Sequence, residues 1–145
     1  MRMCTKIALT HFKFPLLLRI KACANASGDK DRKRQALQIA VSAFRSLETI
    51  GLTAGSITYT SIIHAIDNLM DDSTEMNKAL GDLFRQVCSD GQLNQHMLKL
   101  LADNESMSMV QMTEMTGVTP SYEGTIQIDD LPLEWSQNAT DKLDV

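Results

Sequence analysis

The chain has 145 residues, 43% hydrophobic and 22% charged, the balance of one globular domain and too apolar for a wholly disordered chain. No stretch approaches the roughly 20 uninterrupted apolar residues of a membrane-spanning helix, because Lys13, Pro15, Arg19 and Lys21 break the longest candidate. The net charge of −4 conceals a gradient of +5 over residues 1–28, −1 over 29–100 and −8 over 101–145, so the two ends suit different surroundings.

In chain order, the head (1–12) is basic and free of acids. It reads as an organelle transit peptide, as a first helix with basic edges, or as a truncated start. Lys13 splits the apolar run and argues against a secretory signal. Three N-x-S/T triplets, at Asn25, Asn104 and Asn138, match the glycosylation pattern, but nothing else in the sequence argues for secretion. Cys4, Cys23 and Cys88 form no CxxC pair, and an odd number cannot close a full disulfide framework, which points to a reducing compartment.

The DKDRKR run (29–34) reads as a solvated turn leading into a helix, or more sharply as a phosphate contact. Residues 36–50 set Leu37, Ala40, Val41, Phe44 and Leu47 on one face at helical spacing, and Gly51 supplies a left-handed cap. Ser56 is expected to cap the next helix, about 57–70, which groups Tyr59, Ile62, Ile63, Ile66 and Leu69. Asp72 with Glu75 opens a third helix, 73–89, whose stripe is Met76, Leu80, Leu83, Phe84 and Val87 and whose end is Gly91. Asn94 caps a fourth, carrying Met97, Leu98 and Leu101. A fifth, Met-rich, lies near 105–115 and ends at Gly117. Beyond it Pro120, Gly124, Pro132 and a run of acids break the period. There TIQI (125–128) reads as a short strand without a certain partner, and Leu131, Leu133 and Trp135 read as a cap folded back on the last helix, the alternative being a partly disordered tail.

The helices repeat. AFRSLETIGLTAG (43–55) lines up with LFRQVCSDGQLNQ (83–95), matching Phe44, Arg45 and Gly51 to Phe84, Arg85 and Gly91 at an offset of 40. RIKACAN (19–25) matches IIHAIDN (62–68) at 43, the difference falling in the inter-helix turn. The expected fold is therefore all-α: a short α-solenoid of antiparallel helix pairs, with repeats at 13–55 and 56–95. A degenerate terminal repeat at 96–117 and an irregular acidic tail at 118–145 follow.

SITYTSIIHAI (56–66), KALGDLF (78–84) and Gly91 together resemble a pentatricopeptide repeat. That family pairs a V-T-Y-N-T-L-I type helix with an A-x-x-L-F type helix and a glycine seven residues after the Phe. Phe44 to Gly51 and Phe84 to Gly91 are both seven, and Gly51 to Tyr59 is the matching eight. The longer inter-helix turn (67–75) and the ending DLPLEW (130–135) are similar to C-terminal parts of algal members. The resemblance covers about 13–101 well.

It implies single-stranded RNA binding in a mitochondrion or chloroplast, one base per repeat read by two side chains. It places those readers at Thr60 and Gln95, with Ile57 sandwiching the base. Thr60 fits a purine preference in the family, whereas glutamine at 95 departs from the family's usual Asp or Asn. In the first repeat the positions fall on Leu17 and Gly55, neither of which offers a side-chain hydrogen bond. A base contact is worth about 1–3 kcal/mol and a micromolar complex needs about 8, so this chain alone is expected to bind RNA weakly.

No catalytic constellation is present in the sequence. His11, His64 and His96 lack metal spacing, and there is no Gly-rich phosphate loop, GxSxG elbow or HExxH. The expectation is a non-enzyme without cofactor, with RNA or other proteins as partners and no membrane. The competing reading is a helical-repeat scaffold that binds protein, which the acidic balance favours.

Overall fold

In the computed structural model, residues 15–52, 54–102, 109–118 and 126–139 are described. The basic head, 1–12, lies outside them. All regular structure among the described residues is helical: α1 (residues 15–24), α2 (Lys30–Thr49), α3 (Ser56–Leu69), α4 (Ser73–Ser89), α5 (Gln95–Ala102), α6 (Met109–Thr116) and two 3₁₀ turns, Ile128–Asp130 and Leu133–Trp135. The chain divides into two compact units, one running to Asp71 and the other starting at Asp72. This division falls between α3 and α4, inside the hairpin expected at 56–95.

In the first unit, α1 buries Leu17, Ile20 and Ala24 at helical spacing. The side chain of Asp29 accepts the Arg32 N–H at 2.9 Å and starts α2 at Lys30, so the DKDRKR run forms the first turns of the helix instead of a preceding turn. Apolar periodicity cannot reveal those turns, because they are largely exposed and carry no stripe. Ala36, Ala40, Ala43, Phe44 and Leu47 are the buried face of α2, while Leu37 and Val41 of the expected stripe are only half-buried. The alanines let α3 approach closely. Phe44 meets Tyr59 with ring centroids 5.6 Å apart and planes at 60°. Ser56 is not the cap of α3. Gly55 holds that place without a side-chain bond, and Ser56 is the first helical residue, 1% exposed. The Asn68 amide donates to the carbonyls of Ala24 at 2.8 Å and Ala26 at 3.2 Å, closing the end of α1 from α3.

In the second unit, Asp72 caps α4 by accepting from the N–H groups of Thr74 (2.8 Å) and Glu75 (3.1 Å). The whole expected stripe of α4 is buried. Asn94 accepts the Met97 N–H at 2.9 Å, and α5 buries Met97, Leu98 and Leu101. Residues 126–128 are extended chain entering a 3₁₀ turn, not a strand; two alternating residues without a neighbour cannot form a ladder. Trp135 packs edge-on against Phe84 of α4, centroids 5.9 Å apart. Leu131 is buried, but Leu133 is 79% exposed and takes no part.

The ends of α2 and α4 share one geometry. The Gly51 N–H donates to Glu48 O (3.0 Å) and the Leu52 N–H to Leu47 O (2.9 Å). Gly91 donates to Cys88 O (3.1 Å) and Gln92 to Val87 O (3.0 Å). Both are Schellman turns, with the glycines at φ +80° and +68°. An added Cβ at Gly51 meets nothing within 4 Å, whereas at Gly91 it meets Asn138 Nδ2 at 2.9 Å and Glu134 O at 3.1 Å. Gly51→Ala is therefore expected to cost about 1–2 kcal/mol from backbone strain alone. Gly91→Ala costs more, because it also displaces the tail; paired urea melts check the order.

Candidate nucleic-acid interface

Ile57 and Thr60 sit one turn apart on α3, both half-buried. The Thr60 hydroxyl donates to Ser56 O at 2.8 Å, which fixes its rotamer and leaves its oxygen lone pairs as an acceptor. Gln95 opens α5. Thr60 therefore belongs to the first unit and Gln95 to the second. Leu17 is 3% exposed and forms core, and Gly55 is buried at the start of α3.

Charge separates the same way. Lysines and arginines exceed acids by five in residues 1–71, and acids exceed bases by eight in 72–142. Arg19, Arg32, Arg34 and Arg45 are exposed in the first unit. In the second, Arg85 pairs with Asp82 at 2.9 Å, both well exposed.

Gln95 is occupied by the chain itself. Its Nε2 donates to Ile126 O at 2.9 Å, and its Oε1 accepts the Ile128 N–H at 2.8 Å. The segment continues as a strap. The Leu93 N–H donates to Trp135 O (2.9 Å), the Asn138 N–H to Gly91 O (2.7 Å), and Asn138 Nδ2 to Asp90 O (3.0 Å). Sequence reading missed these bonds because each has a main-chain group of a distant segment on at least one side, and such a group leaves no trace in residue type. Only Gln95 itself, a glutamine where the resemblance leads one to expect Asp or Asn, hints at a different task.

Beside the strap, a groove of about 790 Å³ runs between α4 and α6, with Phe84, Cys88, Met115 and Trp135 among its walls and Lys78, Glu114 and Glu134 also lining it. Among the described residues no three His, Cys, Asp or Glu gather as metal ligands, and no helix is long and apolar enough to cross a membrane.

Burial pushes the Cys88 thiol up from its ordinary 9.0 to about 12. Between those values the unfolded chain ionises while the folded one stays protonated, so Cys88 lowers stability as pH rises through that window and has no effect below it. Denaturant melts at pH 8 and pH 10.5 should show a smaller alkaline loss for Cys88→Ala than for the unaltered chain. Iodoacetamide at pH 8 should label Cys88 slowly in the folded state.

No family model, curated protein or solved structure matches the chain.

Proposed function

We propose that this chain is the C-terminal portion of a pentatricopeptide-type helical array in an organelle, and that it contacts single-stranded RNA through Ile57 and Thr60 on α3. The observation that carries the reading is the pair of matched Schellman turns at Gly51 and Gly91, forty residues apart, each closing a helix that buries a Phe seven residues earlier. They hold the spacing on which the resemblance rests. Ile57 offers an apolar surface for a base, and the Thr60 hydroxyl oxygen offers an acceptor to its edge. The basic excess of the first unit supplies the phosphate attraction, and the acidic second unit opposes it.

The scaffold reading keeps one specific support. The groove walled by Phe84, Met115 and Trp135 in the acidic unit suits a basic, apolar peptide better than a nucleotide.

Fluorescence anisotropy with labelled single-stranded 15-mers of A, G, C and U tests the RNA reading. Binding should be weak, in the range of tens of micromolar at 150 mM salt, tighter at 50 mM, and better for purines. Ile57→Ala and Thr60→Val should each weaken it about fivefold, in line with a contact of about 1 kcal/mol. Submicromolar affinity at physiological salt would contradict the energetics. Binding unaffected by both substitutions would remove α3 as the contact.

A further inference from the structure

We propose that this chain self-associates head to tail, the tip around Leu133 on the strap (residues 126–139) of one copy seating in the groove between α1 and α2 of another. The inference stands apart from the RNA reading. Each half of the contact lies within one compact unit, and the contact joins two chains. Among the described residues, the large apolar side chains that stand well exposed are Leu18 (50%), Ile39 (47%) and Leu133 (79%). Scattered singly, such side chains are ordinary surface. Here they fall into two complementary settings. The first is a groove. Ala22 of α1, Ala26 just beyond it and Ala36 of α2 are too short to fill the space between the helices, and leave a depression of about 400 Å³ with Ile39 in its wall. Leu18 lies one turn before Ala22 on the same face of α1. Arg32 lines the groove, Arg19 is exposed next to Leu18, and lysines and arginines exceed acids by four over residues 15–49.

The second setting is a knob. Leu133 opens a 3₁₀ turn directly after Pro132, whose ring fixes φ at −54°. Buried Leu131 anchors the chain before it. Trp135 on Phe84, with its carbonyl accepting the Leu93 N–H at 2.9 Å, anchors it behind. A leucine held on both sides yet bare is pre-organised for docking, because little ordering remains to oppose binding. Asp129, Asp130 and Glu134 flank it with exposed side chains, and residues 126–139 carry no lysine or arginine. An acidic apolar tip thus matches a basic apolar groove in charge as well as in polarity. Knob and groove are different surfaces, so the contact is heterologous: each copy at an end keeps a free knob or a free groove, and open chains form instead of a closed dimer. One leucine and a charged rim fall short of the roughly 1,200 Å² of a stable interface, so the association is weak, with a dissociation constant of about 100 µM.

Sedimentation velocity of the full chain from about 10 to about 500 µM tests this. At 50 mM salt the weight-average mass should climb with concentration without levelling at a dimer, and 500 mM salt should weaken the association at least threefold. Leu133→Glu and Ile39→Glu change exposed positions, and circular dichroism checks that each variant keeps its fold. Each alone should remain monomeric over the whole range. Mixed one to one they should pair, since the first keeps its groove and the second its knob, and the mass should then stop at a dimer. An unaltered chain that stays monomeric at about 500 µM overturns the proposal. Association that survives either substitution places the contact elsewhere and overturns it too. So does a mixture of the two variants that fails to pair where the unaltered chain associates.

Discussion

Much of the second unit turns on the left-handed backbone at Gly91. The Schellman turn there ends α4 and returns two of its last carbonyls to backbone donors. The same turn is the seat of the strap. The Asn138 amide bonds Gly91 O and Trp135 O receives the Leu93 N–H, with strap atoms lying where a Cβ would stand. At Gly51 the identical geometry faces open space. One sequence signature therefore serves two ends: it stops a helix in both units, and in the second it also admits a neighbouring segment to main-chain contact. That close approach positions Trp135 on Phe84.

The aromatic partners of the two phenylalanines follow from the same asymmetry. Phe44 is covered by Tyr59 from α3, eight residues past its glycine. The corresponding position past Gly91 is Lys99, which is exposed, and the ring on Phe84 comes instead from Trp135. A charged residue on α5 gives up the stacking place, and the tail fills it from a distance in sequence.

What could be read in the sequence follows from which interactions depend on side-chain type. The stripes of α3, α4 and α5 were legible because burial demands apolar residues at every third or fourth position. Gly51, Gly91, Asp72 and Asn94 were legible because left-handed backbone and orphan helix donors each favour few residue types. The start of α2 was not legible, since its first two turns are exposed and impose no pattern. Ser56 has the right chemistry for a cap but sits one residue inside the helix. Thr60 and Gln95 were singled out from a resemblance alone. The bonds that occupy Gln95 run to the backbone of residues 126 and 128, where any amino acid except proline would supply the donor.

The two carbonyls beneath Asn68 have a consequence for synthesis. Ala24 and Ala26 close the first described helix, yet the amide that satisfies them is encoded more than forty positions downstream. While the chain is still being translated, those two carbonyls bond only water until α3 has followed the first helix out. The end of that helix is thus completed by a residue made later, and a chain stalled before Asn68 would leave those two carbonyls to solvent.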